Sequence, residues 1–434
     1  MSKTAISVDH IARVEGHGNV HLTIEGGQVV TCEMNVVEPA RLFESMVVGR
    51  KFADVPYIAS RVCGICSASH VITDILAIER VFGVEVTDRT RALRELLVYG
   101  SYLQNHASHL FVFAAPDFLD MASVFPLAQA NPALFDSALG LKALGNQLCN
   151  LVGGRSIHPI TAVVGGFTHE PTRDEYLAMA DKLDAEREFA RQVVDLFRSF
   201  TVPAIATQGD MLAMVADGRY PVCDSRDARF LGAGVTFDAD EAAGAAGQIE
   251  EYEVSHSAAL FARCRQTATP YFTGALARIN ASWGALSQEA KVAAAKAGLR
   301  PPERNPYLNN VAQAVEVLDA LARCAELCRR LAEPDGEFAG DSQPVAFGVR
   351  AGKGTGFTEA PRGALFHELE LDETGRVVHA AIMTPTAQNC ANLEADMRVL
   401  AEKLVADGAE KPEVQLEVEK LVRAYDPCFS CSVH

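Results

Sequence analysis

"RVCGICSASH" at residues 61–70 and "DPCFSCSVH" at residues 426–434 decide how this chain folds, because each pairs a Cys-x-x-Cys with a following histidine. Cys63, Cys66 and His70 stand at i, i+3 and i+7, a spacing that projects all three from one helix face or its first turn. Cys428, Cys431 and His434 repeat the stagger at i, i+3 and i+6. Two such pairs can converge into one four-sulfur site, and soft thiolates select zinc, iron–sulfur or another thiophilic metal. Zinc ribbons space their pairs about 15–20 residues apart, whereas these pairs lie near opposite ends of a 434-residue chain. A site stitched from both ends closes almost the whole fold around itself. Structural zinc stabilises small domains that lack a core, and this chain is 49% apolar. The spacing favours a buried functional metal site, although thiolates alone do not name the metal.

Outward from the two motifs, the composition narrows the function classes. Thirty-nine basic residues against 56 acidic give a net charge of -17, a field that repels phosphate backbones and argues against a nucleic-acid partner. No apolar run approaches the roughly 18 residues of a membrane span, and "MSKTAISVDH" has no apolar segment of a signal peptide. Eleven cysteines, four of them in the two pairs, suit metal chemistry in a reducing, cytoplasmic compartment better than a disulfide framework. The other seven read as buried small hydrophobes.

The elements predict an α+β chain, mainly helical, with a long-helix bundle core, small antiparallel sheets near each end, and the metal site buried between the chain ends. "HLTIE" and "QVVTCEM" flank Gly26–Gly27 as a hairpin. Helical periodicity covers 90–113 and 171–200, with further helices expected at about 240–265, 286–298, 310–332, 388–407 and 411–424. Residues 333–363 read as loop, and a late hairpin turns near Thr374–Gly375. "GKGTG" at 352–356 lacks the Walker spacing and is read with that loop. Without repeats or linkers, 1–434 reads as one unit: an N-terminal hairpin region (1–50), a helical body (51–332), a loop and hairpin region (333–387), and C-terminal helices with the second motif (388–434).

Several separated stretches make the chain resemble the large subunit of nickel–iron hydrogenases. Beside the two cysteine motifs these are "RVEGHG" at 13–18, "APRGAL" at 360–365 and "TPTAQN" at 384–389. The ending "AYDPCFSCSVH" is most similar to the cytoplasmic multisubunit branch. The resemblance implies that Cys63 and Cys428 bind nickel terminally, and that Cys66 and Cys431 bridge to an iron carrying carbon monoxide and cyanide. His70 would lie beside the thiolates. Glu44, His434 and a backbone carbonyl near Ile382 would hold magnesium. It further implies that a protease cuts just beyond the final histidine after nickel insertion, so that an end at His434 is expected of the processed form.

Splitting H2 heterolytically needs a Lewis acid and a nearby base. The resemblance sets Arg362, flanked by Pro361, over the open metal position, to hold a cyanide through its donors or to help accept the proton, with Cys428 its rival as the base. Thr386 would donate to a cyanide. Asp426 would pair with Arg362, and Asn105 stands where many relatives carry a second aspartate. Glu15 resembles a proton-relaying glutamate, with a salt bridge to Arg13 as the alternative. No further Cys-x-x-Cys offers a relay cluster. The resemblance therefore implies an iron–sulfur small subunit, further flavin/NAD(P) or heterodisulfide-reductase-type modules, and nickel-insertion proteins. Two other readings stay open, a hydrogen sensor on the same site and a non-enzymatic zinc or iron–sulfur scaffold.

Overall fold

A computed structural model describes residues 3–8 and 10–434. Helices dominate, and each begins where its sequence permits. Thr87 caps helix Asp88–Ser108, Asn131 caps Pro132–Gly153, and Thr172 with Glu175 forms a capping box on Arg173–Ala185. These helices pack with Arg187–Ser199 and the long helix Asn309–Leu331 into one apolar core. The expected 171–200 helix is broken at Glu186 into two. Helix Pro132–Gly153 was not anticipated by periodicity.

Three strands, Lys3–Val8, Gly18–Glu25 and Gln28–Val36, form an antiparallel N-terminal sheet whose tight turn is Gly26–Gly27, as expected. Three expectations are corrected. Residues 240–265 are not a helix but two strands, Ile249–Tyr252 and Phe261–Cys264, paired antiparallel. A four-stranded sheet in the order Tyr271–Thr273, Asp210–Met214, Asp227–Phe230, Val235–Asp238 lies beside them, so the 51–332 stretch is not purely helical. The 333–363 stretch is not loop throughout, because Gly352–Ala360 is a strand that contains "GKGTG".

That strand pairs with Gly363–Leu371, which in turn pairs with Val377–Met383. Ala360 opposes Gly363, so Pro361 and Arg362 form a two-residue turn at the tip of a hairpin. The sheet packs against helix Ser67–Phe82, which grows out of the first cysteine motif. Helices Pro385–Ala406 and Lys411–Ala424 then return the chain to the second motif. Hairpin tip, first motif and last residues thereby meet in the interior.

Candidate metal centre

Only part of the first motif is helical. Cys63 is extended, Cys66 is the N-cap residue of helix Ser67–Phe82, and His70 lies in the helix's first turn. Of the expected placement on one helix face or its first turn, His70 and the capping Cys66 keep to the first turn, while Cys63 lies outside the helix. The Cys66 N–H donates to Cys63 Sγ at 3.2 Å, and a helix N-terminus favours thiolate. Hydrogen bonding from Cys66 lowers the Cys63 thiol's pKa, with Arg362 adding to the effect; as donor in that buried pair, Cys66 is raised well above its ordinary value.

At the other end Asp426 takes left-handed backbone (φ 50°) just beyond helix Lys411–Ala424, which turns the chain sharply into Pro427. Cys428 then pairs with Glu15 in an isolated parallel bridge, and the Phe429 N–H donates to the Glu15 carbonyl at 2.9 Å. Gly16 is required here, since a Cβ would come within 2.8 Å of the Ser430 nitrogen.

All four sulfurs are buried. Cys428 Sγ lies 3.8 Å from Cys63 Sγ, and Cys66 Sγ lies 3.9 Å from Cys431 Sγ. The Cys428 and Cys431 sulfurs also adjoin each other, so the four form one compact group that takes a metal as thiolates. Among the described residues, groups of three or more cysteine, histidine or carboxylate side chains close enough to share a metal form only here, as Cys63–Cys66–Cys431 and Glu15–Cys428–Cys431.

Over the sulfurs sits Arg362, only 4% exposed. Its Nε donates to the Asp426 carboxylate at 3.0 Å and the Asp426 carbonyl at 2.9 Å, while NH1 and NH2 have no partner. Desolvation opposes its charge, yet Asp426 and the cysteines prevail and raise the guanidinium's pKa further. Burial pushes Asp426 up, but Arg362, His109 and the amides of Asn105 and Gln313 outweigh it and hold the carboxyl low. Asn105 Nδ2 donates to Asp426 Oδ2 at 2.8 Å and Gln313 Nε2 does so at 3.0 Å. Two side-chain amides thus share the outer oxygen of the Asp426 carboxylate. Thr386, in the first turn of helix Pro385–Ala406, accepts from the Cys428 N–H at 2.9 Å.

Glu15 is half-buried and does not bridge to Arg13, which pairs instead with Asp117. Glu15 Oε2 lies 3.0 Å from Cys428 Sγ and 3.2 Å from the Ser430 nitrogen, and Oε1 accepts from Ser430 Oγ at 2.8 Å. On the far side, Glu44 Oε1 accepts from the Ile382 N–H at 2.8 Å and lies 3.8 Å from His434 Nε2. The Ile382 backbone also hydrogen-bonds the His434 ring. His70 is buried and hydrogen-bonds His367 at 3.0 Å, which in turn bonds Asp74 at 2.7 Å. Burial and His367 push the His70 pKa well down.

Sequence reasoning missed Ser430, Gln313, His367 and Asp74. Ser430 could have been found from its place inside the cysteine motif. The other three are polar residues on amphipathic elements and carry no signal without their partners.

Four buried sulfurs from two chain ends beneath a guanidinium are the chemistry of a thiolate-ligated metalloenzyme. The chain belongs to the nickel-dependent hydrogenase family, whose model matches residues 41–138 and 310–434. It is 31% identical over 432 residues to sulfhydrogenase 2 subunit alpha of Pyrococcus furiosus, covering 99% of this chain and 98% of that protein. It is 28% identical over 467 residues to the NAD-reducing hydrogenase HoxS subunit beta of Cupriavidus necator, covering 98% and 94%. Among solved structures, an NAD+-reducing NiFe hydrogenase in the H2-reduced state superposes over 100% of both chains with a TM-score of 0.82 and 26% identity. The protein is accordingly a catalytic subunit of the nickel–iron hydrogenase type, an oxidoreductase acting on H2 at a nickel–iron centre. The scaffold reading falls.

Proposed function

We propose that Cys63 and Cys428 bind nickel terminally and that Cys66 and Cys431 bridge it to an iron bearing carbon monoxide and cyanide. One observation carries this reading. NH1 and NH2 of Arg362 are buried and unpartnered beside a cavity lined by Cys66, Cys428, Cys431 and Thr386. Orphaning a buried charged donor costs about 1–3 kcal/mol or more, and anionic cyanide nitrogens meet that need, so the residues fit the group. When bound, the metal pair supplies the Lewis acidity that polarises H2.

The chain's own residues manage the proton. Arg362 stays a cation because Asp426 and the thiolates raise its pKa, so it donates hydrogen bonds and does not act as the base. Cys428, as thiolate, is the better acceptor, and Glu15 Oε2 stands 3.0 Å away to take the proton onward. Thr386 keeps its hydroxyl proton free for the cavity while accepting from the Cys428 N–H. Glu44, His434 and the Ile382 carbonyl suit a magnesium ion, a hard cation that prefers carboxylate, carbonyl and water.

Electrons leave through a partner, because no second cysteine cluster is found among the described residues. An iron–sulfur small subunit with a nicotinamide-linked or heterodisulfide-reductase-type module fills that role. Nickel-insertion proteins and a maturation protease assemble the centre. The thiol-rich composition suits the cytoplasm. In the described residues no helix is long and apolar enough to cross a membrane.

The test is infrared spectroscopy and metal analysis of the chain copurified with its partners, alongside H2-dependent reduction of a viologen dye. Carbonyl and cyanide bands with nickel and iron, and rapid dye reduction, are expected. Zinc without those bands defeats the reading, and bands with only very slow turnover point to the sensor.

A further inference from the structure

Two buried arginines stand side by side at the hairpin tip and differ completely in how their donors are used. Arg362 leaves NH1 and NH2 unpartnered. Arg278, on helix Ala275–Ser282 and 2% exposed, uses all five of its N–H groups. Its Nε donates to Glu316 Oε1 at 2.7 Å and its NH2 to Glu316 Oε2 at 2.8 Å, a bidentate fork. The remaining donors reach Glu359 Oε2 at 3.1 Å, the Ala360 carbonyl at 2.9 Å and the Pro361 carbonyl at 2.9 Å. Those carbonyls belong to the two residues that precede Arg362. The Tyr102 ring lies beneath the guanidinium, 4.8 Å away.

Glu316 is itself anchored, by His106 at 2.8 Å and the Tyr220 hydroxyl at 2.5 Å. It lies on helix Asn309–Leu331, one turn beyond Gln313, which donates to Asp426. Asp426 in turn holds the Arg362 side chain. Backbone and side chain of the turn are therefore both referenced to one helix face, the first through Arg278 and the second through Asp426.

We propose that Arg278 is a positioning residue for Arg362: by joining Glu316 to the Ala360 and Pro361 carbonyls, it fixes the turn so that the two free guanidinium nitrogens face the metal centre. The inference rests on the nickel–iron reading above. Lysine cannot substitute, since one ammonium has neither the planar fork nor five donors.

The experiment compares Arg278→Lys, Arg362→Lys and the double variant in the full complex, reading nickel per chain, cyanide band positions, kcat and the KM for H2. Arg278→Lys is expected to keep nickel, to displace the cyanide bands, and to lower kcat at least tenfold with KM little changed. The double variant should be no worse than Arg362→Lys alone, because both act through one guanidinium. If Arg278→Lys fails to fold, Glu316→Gln carries the test, with the same bands displaced and a loss of about threefold. Unmoved bands with unchanged turnover per nickel in a folded variant, or multiplicative losses in the double, overturn the proposal. A wild-type complex without bands overturns the centre, and the inference with it.

Discussion

Glu15 meets its neighbours with separate oxygens, Oε2 towards Cys428 Sγ and the Ser430 nitrogen, Oε1 towards Ser430 Oγ. A carboxyl so placed can receive a proton on one side and release it on the other. Glu15→Gln keeps the size and most hydrogen bonds but cannot accept that proton. With nickel and iron retained, H2 oxidation should fall about 100-fold or more, the scale of a lost general base. Near-normal turnover per nickel removes the relay. The buried pair Glu359 and Glu316 makes a prediction of opposite sign at each member. Burial raises the Glu359 pKa to about 7, whereas Arg278 and His106 overcome burial and lower Glu316 to about 2. A carboxyl raised in the folded state contributes stability that is present below its unfolded value, near 4.5, and lost as pH climbs to about 7. Glu316 contributes above 4.5 and loses its share as pH falls towards 2. Glu359→Gln, already neutral, should gain on wild type by roughly 3 kcal/mol between pH 4.5 and pH 8. Unfolding titrations of both proteins at the two pH values check this, and an unchanged difference sinks the burial argument.

At the scale of elements, the glycines of "GKGTG" matter for what they lack. A Cβ at Gly356 would sit 1.9 Å from the Thr73 carbonyl oxygen, and one at Gly354 would sit 2.9 Å from that of Ala77. The strand therefore lies directly against helix Ser67–Phe82, whose first turn carries His70 and whose cap is Cys66. Gly356→Ala should force the two apart at a cost of about 1–3 kcal/mol or more and reduce nickel occupancy along with the melting temperature. A variant that melts and loads like wild type rules out that close packing. The same glycines misled the sequence reading, because clustered glycine signals a turn when the packing partner is unknown. "DEAAGAAGQIEEY" at 240–252 misled in the other direction: alanine and glutamate favour helix, but pairing of Ile249–Tyr252 with Phe261–Cys264 overrides propensity. Where periodicity ran long, as in Asn309–Leu331, Pro385–Ala406 and Lys411–Ala424, the helices were legible. The cysteines were legible because thiolate chemistry resides in the residue type, while Arg278 and Gln313 take their meaning from partners distant in sequence.

Across the whole molecule, both chain ends are fastened to one point. Arg41 donates to the Arg61 and Val62 carbonyls at 2.8 Å at the start of the first motif, and to the Ser430 carbonyl at 3.3 Å inside the second. Its own N–H reaches the Val433 carbonyl at 2.9 Å. Glu15 ties residues 428–430 from the other side. With such a clasp already formed by protein contacts, a metal pair bound by all four sulfurs, as proposed, would link two segments that are remote in sequence and adjacent in space. Binding to the folded state alone stabilises it by mass action, and local opening of either segment must then break the metal bonds. Hydrogen–deuterium exchange on the reduced metal-free and the loaded complex should therefore show protection rising together at residues 61–70 and 426–434. Helix Pro132–Gly153 supplies none of the four sulfurs, and those of its amides that exchange by local opening should be unaffected. Protection that rises at one cysteine motif and not the other would mean that the four sulfurs do not share a centre, and the roles given to Arg362, Glu15 and Arg278 would fall with it.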